Sequence, residues 1–196
     1  MLFVGLTGGI GSGKSEALAA FERLGVPTLS TDAVVHELLG TQEVRRLLHE
    51  RWGDRVLAGD GEIDRTAVAA IVFERPAELS WLEGTLFPRV GERMVEWRGS
   101  LASGHEVAVV EVPLLFEAGI ESAFDATAAV VANEDLRAER AAARRHAGLE
   151  GRGGRQLSQD EKAQRADYVI RNDGTLSDLE AAVREVLAEL RGRVGR

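Results

Sequence analysis

The chain has 196 residues, 44% hydrophobic and 29% charged, with a net charge of −8. That length can bury one α/β core with small insertions, and the acidic balance argues against broad non-specific binding to nucleic acid. Cysteine is absent, which excludes disulfide frameworks, thiolate metal sites and cysteine catalysis. No apolar run approaches the roughly 18 residues of a membrane span. Met1 leads straight into strand-like Leu2-Phe3-Val4 with no basic leader, so a cytoplasmic protein without membrane attachment is expected.

The elements alternate strand and helix, the pattern of a parallel sheet with crossover helices. The first strand is Leu2 to Leu6. A glycine-rich turn, Thr7 to Gly13, opens a helix with Leu18, Phe21 and Leu24 inward, and Gly25 stops it. A short strand is expected at Val26 to Leu29. Thr31 to about Leu101 reads as mostly helical, with a polar stretch near Gly53 to Asp64. Leu82, Leu86, Val90 and Met94 mark one helix face, and Pro88 predicts a kink or a fresh start within it. After a break at Ser103-Gly104 come three strands: Val107 to Val112, Thr127 to Val131 and Tyr168 to Ile170. Ser177 and Glu180 fit a capping box for a last helix with Leu179, Val183, Val186, Leu187 and Leu190 inward.

Gly8-Gly9-Ile10-Gly11-Ser12-Gly13-Lys14-Ser15 matches G-x-x-x-x-G-K-[ST] in full, between a predicted strand and a predicted helix. Gly8, Gly9, Gly11 and Gly13 let backbone N–H groups turn toward phosphates, and the helix N-terminus adds partial positive charge. Lys14 can reach the β- and γ-phosphates, and the Ser15 hydroxyl can ligate Mg²⁺. A guanine-reading Asn-Lys-x-Asp or Thr-Lys-x-Asp is absent, so a GTP switch has no support. The expectation is a small-molecule kinase using ATP and Mg²⁺.

Such a kinase needs a base, a metal partner and cations over the transferred group. Asp32 follows the second strand, where it can take an acceptor's proton or serve as a helix N-cap. Glu111 ends the third strand, either as an acid near Mg²⁺ or as an ordinary strand-end carboxylate. Residues 137–165 hold Arg137, Arg140, Arg144, Arg145, Arg152, Arg155, Lys162 and Arg165 against four acids, with Gly148, Gly151, Gly153 and Gly154 interspersed. The segment reads as a phosphate-clamping lid or as a solvated charged helix and loop. Only Lys14 and Lys162 are lysines among the 24 basic residues, so each raises the question of why it is not arginine.

Together, the Leu6-to-Ser15 loop, Asp32 with His36-Glu37-Leu38, Pro113-Leu114-Leu115-Phe116-Glu117 and the series Gln156…Lys162…Ala166 to Gly174 resemble the dephospho-coenzyme A kinase family. The resemblance runs the length of the chain. It implies an α/β, P-loop nucleotide-kinase-like three-layer fold with a parallel central sheet. It implies a core of residues 1–37, 103–139 and 166–196, a helical acceptor-binding subdomain at 38–102 and a lid at 140–165. The implied reaction is ATP-dependent phosphorylation of the ribose 3′-hydroxyl of dephospho-CoA, in a monomer or weak homo-oligomer. Carried over by position, Lys14, Asp32 and Arg140 are catalytic. Ser12, Glu16, Arg144 and Asn172 join the nucleotide side, with Asn172 near the adenine. Leu114, Leu115 and Phe116 shape the acceptor side, and Ser15 serves the metal, beside which Glu111 is the candidate from its strand-end position. Glu16, Ser30, Phe87, Arg145, Gly153 and Gly154 depart from the family pattern. Another small-molecule P-loop kinase, such as a nucleoside monophosphate kinase, and a non-catalytic nucleotide-binding regulator remain as alternatives.

Overall fold

A strand buried on both faces needs mostly apolar or very small residues, and Leu2–Gly8, the first strand β1, has them at every position but Thr7. In the computed structural model, which describes residues 1–101, 104–145 and 156–194, β1 lies at the centre of a parallel sheet. The other strands are β2 (Thr28–Ser30), β3 (Val107–Glu111), β4 (Ala126–Val131) and β5 (Tyr168–Arg171), in the order β2-β3-β1-β4-β5. All pairs are parallel. The chain leaves β1 toward β2 on one side and later crosses to β4 on the other. That places the topological switch, where open α/β sheets gather ligands, at the carboxyl end of β1. In this register Leu6 and Ser30 both lie opposite Glu111.

Alternation along β1 separates two layers. Val4 and Leu6 face a core built with Ala17, Ala20 and Phe21 of helix α1 (Lys14–Arg23) and Leu179, Val183, Leu187 and Leu190 of helix α8 (Leu176–Val194). Phe21 is wholly buried, and truncating such a side chain to alanine costs about 3–5 kcal/mol. Residues 3, 5 and 7 face the other layer. Phe3 stacks on Phe124 at 5.2 Å, and a Cβ on Gly5 would sit 2.4 Å from Leu115 Cδ1. Thr7 meets Lys162 of helix α7 (Gln159–Arg165). The expected three-layer arrangement around a parallel sheet is therefore present.

The described residues divide into two compact units, Met1–Ser30 with Leu101–Arg196, and Thr31–Ser100. The second unit contains helices α2 (Thr31–Leu39), α3 (Gln42–Trp52), α4 (Arg65–Glu74) and α5 (Pro76–Ser100). The polar stretch forms a 3₁₀ turn at Gly53–Val56 and one antiparallel bridge, Leu57 to Ile63. Thr41 and Asp64 cap α3 and α4 through their side-chain oxygens. Trp52 meets Trp81 edge-on at 5.1 Å and donates its indole N–H to Glu78 at 2.8 Å.

Helix α5 is continuous through Pro88, so of the two expectations there the fresh start is excluded. Two other local expectations are corrected. The last helix is capped by Thr175 and Asp178, whose side chains exchange hydrogen bonds with each other's N–H groups, not by Ser177 and Glu180. β2 begins at Thr28 rather than Val26. A capping box that the sequence reading passed over, Ser158 with Glu161, starts α7.

Candidate active site

Gly8 closes β1, and residues 9–13 turn the chain into α1. Gly11 and Gly13 adopt φ of +76° and +89°, the left-handed region that favours glycine. Space demands glycine as well: a Cβ at position 11 would lie 2.5 Å from the Arg137 carbonyl oxygen, and one at position 13 would lie 2.1 Å from Asn172 Nδ2. Gly13 is the N-cap of α1 and no side chain caps this end. The first helical N–H groups thus face the turn, a ready anion site.

Each loop residue has a visible anchor. Gly9 O accepts from Ser12 N at 3.2 Å and from Lys14 Nζ at 3.0 Å, so the lysine lies folded over the turn. Ser12 is wholly buried, its carbonyl accepts Asn172 Nδ2 at 2.9 Å, and its hydroxyl has no hydrogen-bond partner. Ser15 Oγ donates to Glu111 Oε1 at 3.3 Å, and Ser30 Oγ donates to Glu111 Oε2 at 3.1 Å. Glu111 is buried at the end of β3. Glu16 points away from the turn to pair with Arg23 at 3.2 Å.

Helix α6 (Glu134–Arg145) brings two arginines to this turn. Arg137 donates Nε to Ile10 O at 3.1 Å and pairs with Glu134. Arg140 Nη1 donates to Asn172 O at 3.3 Å and stands 3.9 Å from where a Gly13 Cβ would be. Asn172 is buried, and it links the turn, Arg140 and, through its backbone N–H, Val131 of β4. Arg144 belongs to α6, but its side chain and that of Arg145 lie outside the described residues. Gly148, Gly151, Arg152, Gly153, Gly154 and Arg155 lie outside them entirely.

The remaining candidates are placed as follows. Asp32 is in the first turn of α2, the second residue after β2. Leu115 is wholly buried against Gly5, Phe116 is buried with the Arg165 guanidinium 4.7 Å over its ring, and Leu114 is half-buried. Lys162, which the sequence places in a lid or a solvated charged stretch, is wholly buried. Its Nζ donates to Pro113 O at 2.6 Å and pairs with Glu117 at 2.9 Å. Burial pushes its pKa down, and Glu117 opposes that shift. Sequence reasoning missed Thr7 and Ser30 as site neighbours and gave Arg137 no distinct role; Ser30 was visible only as a departure from the family pattern.

The residues present suit Mg²⁺. Among the described residues no group of three or more His, Cys, Asp or Glu could hold a metal alone. Ser15 and Glu111 instead offer hard oxygen donors side by side. Mg²⁺ is commonly held by one or two protein oxygens, with substrate phosphates and water completing its shell.

A family model described as Dephospho-CoA kinase matches residues 2–178. The chain belongs to the dephospho-CoA kinase family. The family's reaction is the last step of coenzyme A biosynthesis, a kinase reaction on a small molecule. Relatives named dephospho-CoA kinase include one from Anaeromyxobacter dehalogenans, 38% identical and covering 100% of this chain and 95% of its own. Another, from Chlorobaculum tepidum, is 39% identical over 96% and 95%. A solved protein from Thermus thermophilus is 35% identical, covers 96% of this chain and 97% of its own, and superposes with a TM-score of 0.81. The dephospho-CoA kinase from Campylobacter jejuni, 23% identical, covers 97% of both chains and shares the fold with a TM-score of 0.71. No helix among the described residues is long and apolar enough to cross a membrane.

Proposed function

We propose that this chain transfers the γ-phosphoryl of ATP to the ribose 3′-hydroxyl of dephospho-CoA, giving ADP and coenzyme A. The observation that carries the proposal is the uncapped, glycine-lined turn with Lys14 folded over it and the Ser15–Glu111 pair at its exit, in a chain of this family. The α1 N–H groups and Lys14 hold the β- and γ-phosphates, with Lys14 exchanging Gly9 O for phosphate oxygen. Ser15 and Glu111 would hold Mg²⁺, which when bound would supply positive charge to neutralise phosphate oxygens.

The 3′-oxygen forms its bond to the γ-phosphorus as the bond from phosphorus to the β–γ bridging oxygen breaks. Asp32 takes the hydroxyl proton, and ADP leaves. Arg140, with Arg144 a turn further along α6, stabilises charge on the transferring group. Asn172 holds the turn through Ser12 O and borders the nucleotide on its adenine side. Residues 38–102 bind the acceptor, as do Leu114, Leu115 and Phe116; the lid expected at 140–165 stops short of α7, whose Lys162 is wholly buried.

The test is a coupled ADP-release assay with ATP and Mg²⁺, comparing dephospho-CoA with AMP, shikimate and gluconate. The proposal expects turnover with dephospho-CoA at least about 10²-fold above the others, the scale of discrimination binding differences can supply. Preferential turnover of another acceptor, or nucleotide binding with no transfer, would refute it.

A further inference from the structure

Lys162 is one of two lysines in a chain that otherwise uses arginine for every cation, and it is wholly buried. Its ammonium meets three acceptors from three segments: Thr7 Oγ1 of β1 at 3.4 Å, Pro113 O just after β3 at 2.6 Å, and Glu117 Oε1 at 2.9 Å. A tetrahedral ammonium can point one N–H at each, whereas the planar guanidinium fork cannot. Glu117 Oε1 also accepts Leu157 N at 2.8 Å, so the pair fixes the chain leading into α7. The Thr7 hydroxyl itself donates to Pro113 O at 3.3 Å. Two functional stretches thus converge here. Thr7 immediately precedes the phosphate turn, and Pro113 is the second residue after Glu111.

We propose that Lys162 is a positioning residue that holds the entry of the phosphate turn and the end of β3 in register, and so sets Ser15 against Glu111 for the metal. The proposal rests on the reading of Ser15 and Glu111 given above. A buried ion pair contributes little net stability compared with well-packed apolar groups, but breaking it from one side leaves an uncompensated charge. Stability and positioning can therefore be separated. Lys162→Met alone should lower both Tm and kcat. Lys162→Met with Glu117→Leu removes both charges and should recover most of the Tm. Its kcat should stay about tenfold down, within the loss a small misplacement produces. Thr7→Val keeps the Lys162–Glu117 pair and removes only the hydroxyl, and should show the same kinetic defect with little change in Tm.

The deciding readout is titration calorimetry of ATP binding at varied Mg²⁺, beside steady-state kinetics. The half-saturating Mg²⁺ concentration should rise several-fold in both the double variant and Thr7→Val, while ATP binding without Mg²⁺ stays as in the wild type. Wild-type kcat and Mg²⁺ dependence in Thr7→Val, or their return with Tm in the double variant, would overturn the proposal and leave Lys162 a structural charge. If wild-type ATP binding is itself insensitive to Mg²⁺, the reading of Ser15 and Glu111 fails first, and the proposal with it.

Discussion

Both units carry solvent-exposed ion pairs, but among the described residues charge is buried in the sheet unit alone. In Thr31–Ser100 the ion pairs lie toward solvent: Arg46 with Glu50, Arg45 with Glu62, Arg89 with Glu43, and Arg51 with Glu78 against the Trp52–Trp81 pair. Its interior is aliphatic and aromatic, with Val44, Leu48, Trp52, Leu86, Val90 and Met94 buried. In the sheet unit, Glu111, Lys162 and Asn172 are buried near the carboxyl edge of the strands, each bonded to residues distant in sequence. Exposed pairs contribute little to stability because water and salt screen them. Buried polar groups are costly unless satisfied, so their clustering around one turn marks where geometry matters more than stability.

Substitutions in the two units should therefore fail in different ways. The largest effect is expected at Lys14. Lys14→Ala should abolish turnover while circular dichroism and Tm remain close to wild type. Lys14→Arg should also be poor, because a forked guanidinium does not replace a point charge in a tight turn; near-normal turnover in that variant would show the lysine is not used on the phosphates. Next is Asp32→Asn, which keeps the side chain's size within the first turn of α2, where Asp32 lies inside the helix and not at its N-cap, and removes its basicity. Its kcat should fall by roughly 10²-fold or more with ATP affinity unchanged, and an intact kcat would leave Asp32 a helix-start residue only.

Arg140→Ala should slow single-turnover transfer at saturating ATP and acceptor more than it weakens dephospho-CoA binding. Lysine at that position should recover part of the rate, because charge returns without the two-point grip. Wild-type transfer with weakened acceptor binding would move Arg140 into the binding site.

The smallest effect is expected from Glu78→Gln in the helical unit, read in Tm rather than in kcat. Hydrogen bonding from Arg51, then from Trp52, holds the Glu78 carboxyl below its ordinary range. A carboxylate depressed on folding stabilises the native state above its unfolded pKa, about 4.3. That contribution is lost as pH falls through the lower folded value. Glu78→Gln should thus lower Tm at pH 7 and flatten the decline of Tm between about pH 5 and pH 3. An unchanged acid limb would mean the Arg51–Glu78 contact has no thermodynamic weight.

Contiguous features were legible in the sequence and convergent ones were not. The phosphate turn could be read because its glycines, Lys14 and Ser15 adjoin one another between a strand and a helix. The five strands could be read from apolar runs, but not their order, because a buried run does not name its neighbours. In the sequence Lys162 reads as part of a lid or of a solvated charged stretch, because a lysine among arginines and glycines is solvated by default. Its burial depends on Pro113 and Glu117, which no local pattern brings to it. Asn172 was placed near the adenine through the resemblance, while its bond to Ser12 O required the fold to be visible. At Pro88 the choice between a kink and a fresh start was not legible, and the fresh start falls because one helix of 25 residues spans it.

The contact between Gly13 and Asn172 ties two distant positions into one mutational unit. A methyl group at position 13 would occupy the space of the Asn172 amide, 2.1 Å away, and that amide is what holds Ser12 O. A side chain at 13 is tolerable only if position 172 shortens first, and shortening 172 releases the turn. Each single step therefore crosses a valley of lost function, and even the paired change meets the backbone strain of φ +89°. Drift at position 172 is confined to side chains that reach Ser12 O and stop short of Gly13, so the tolerance of one residue is written at the other end of the chain.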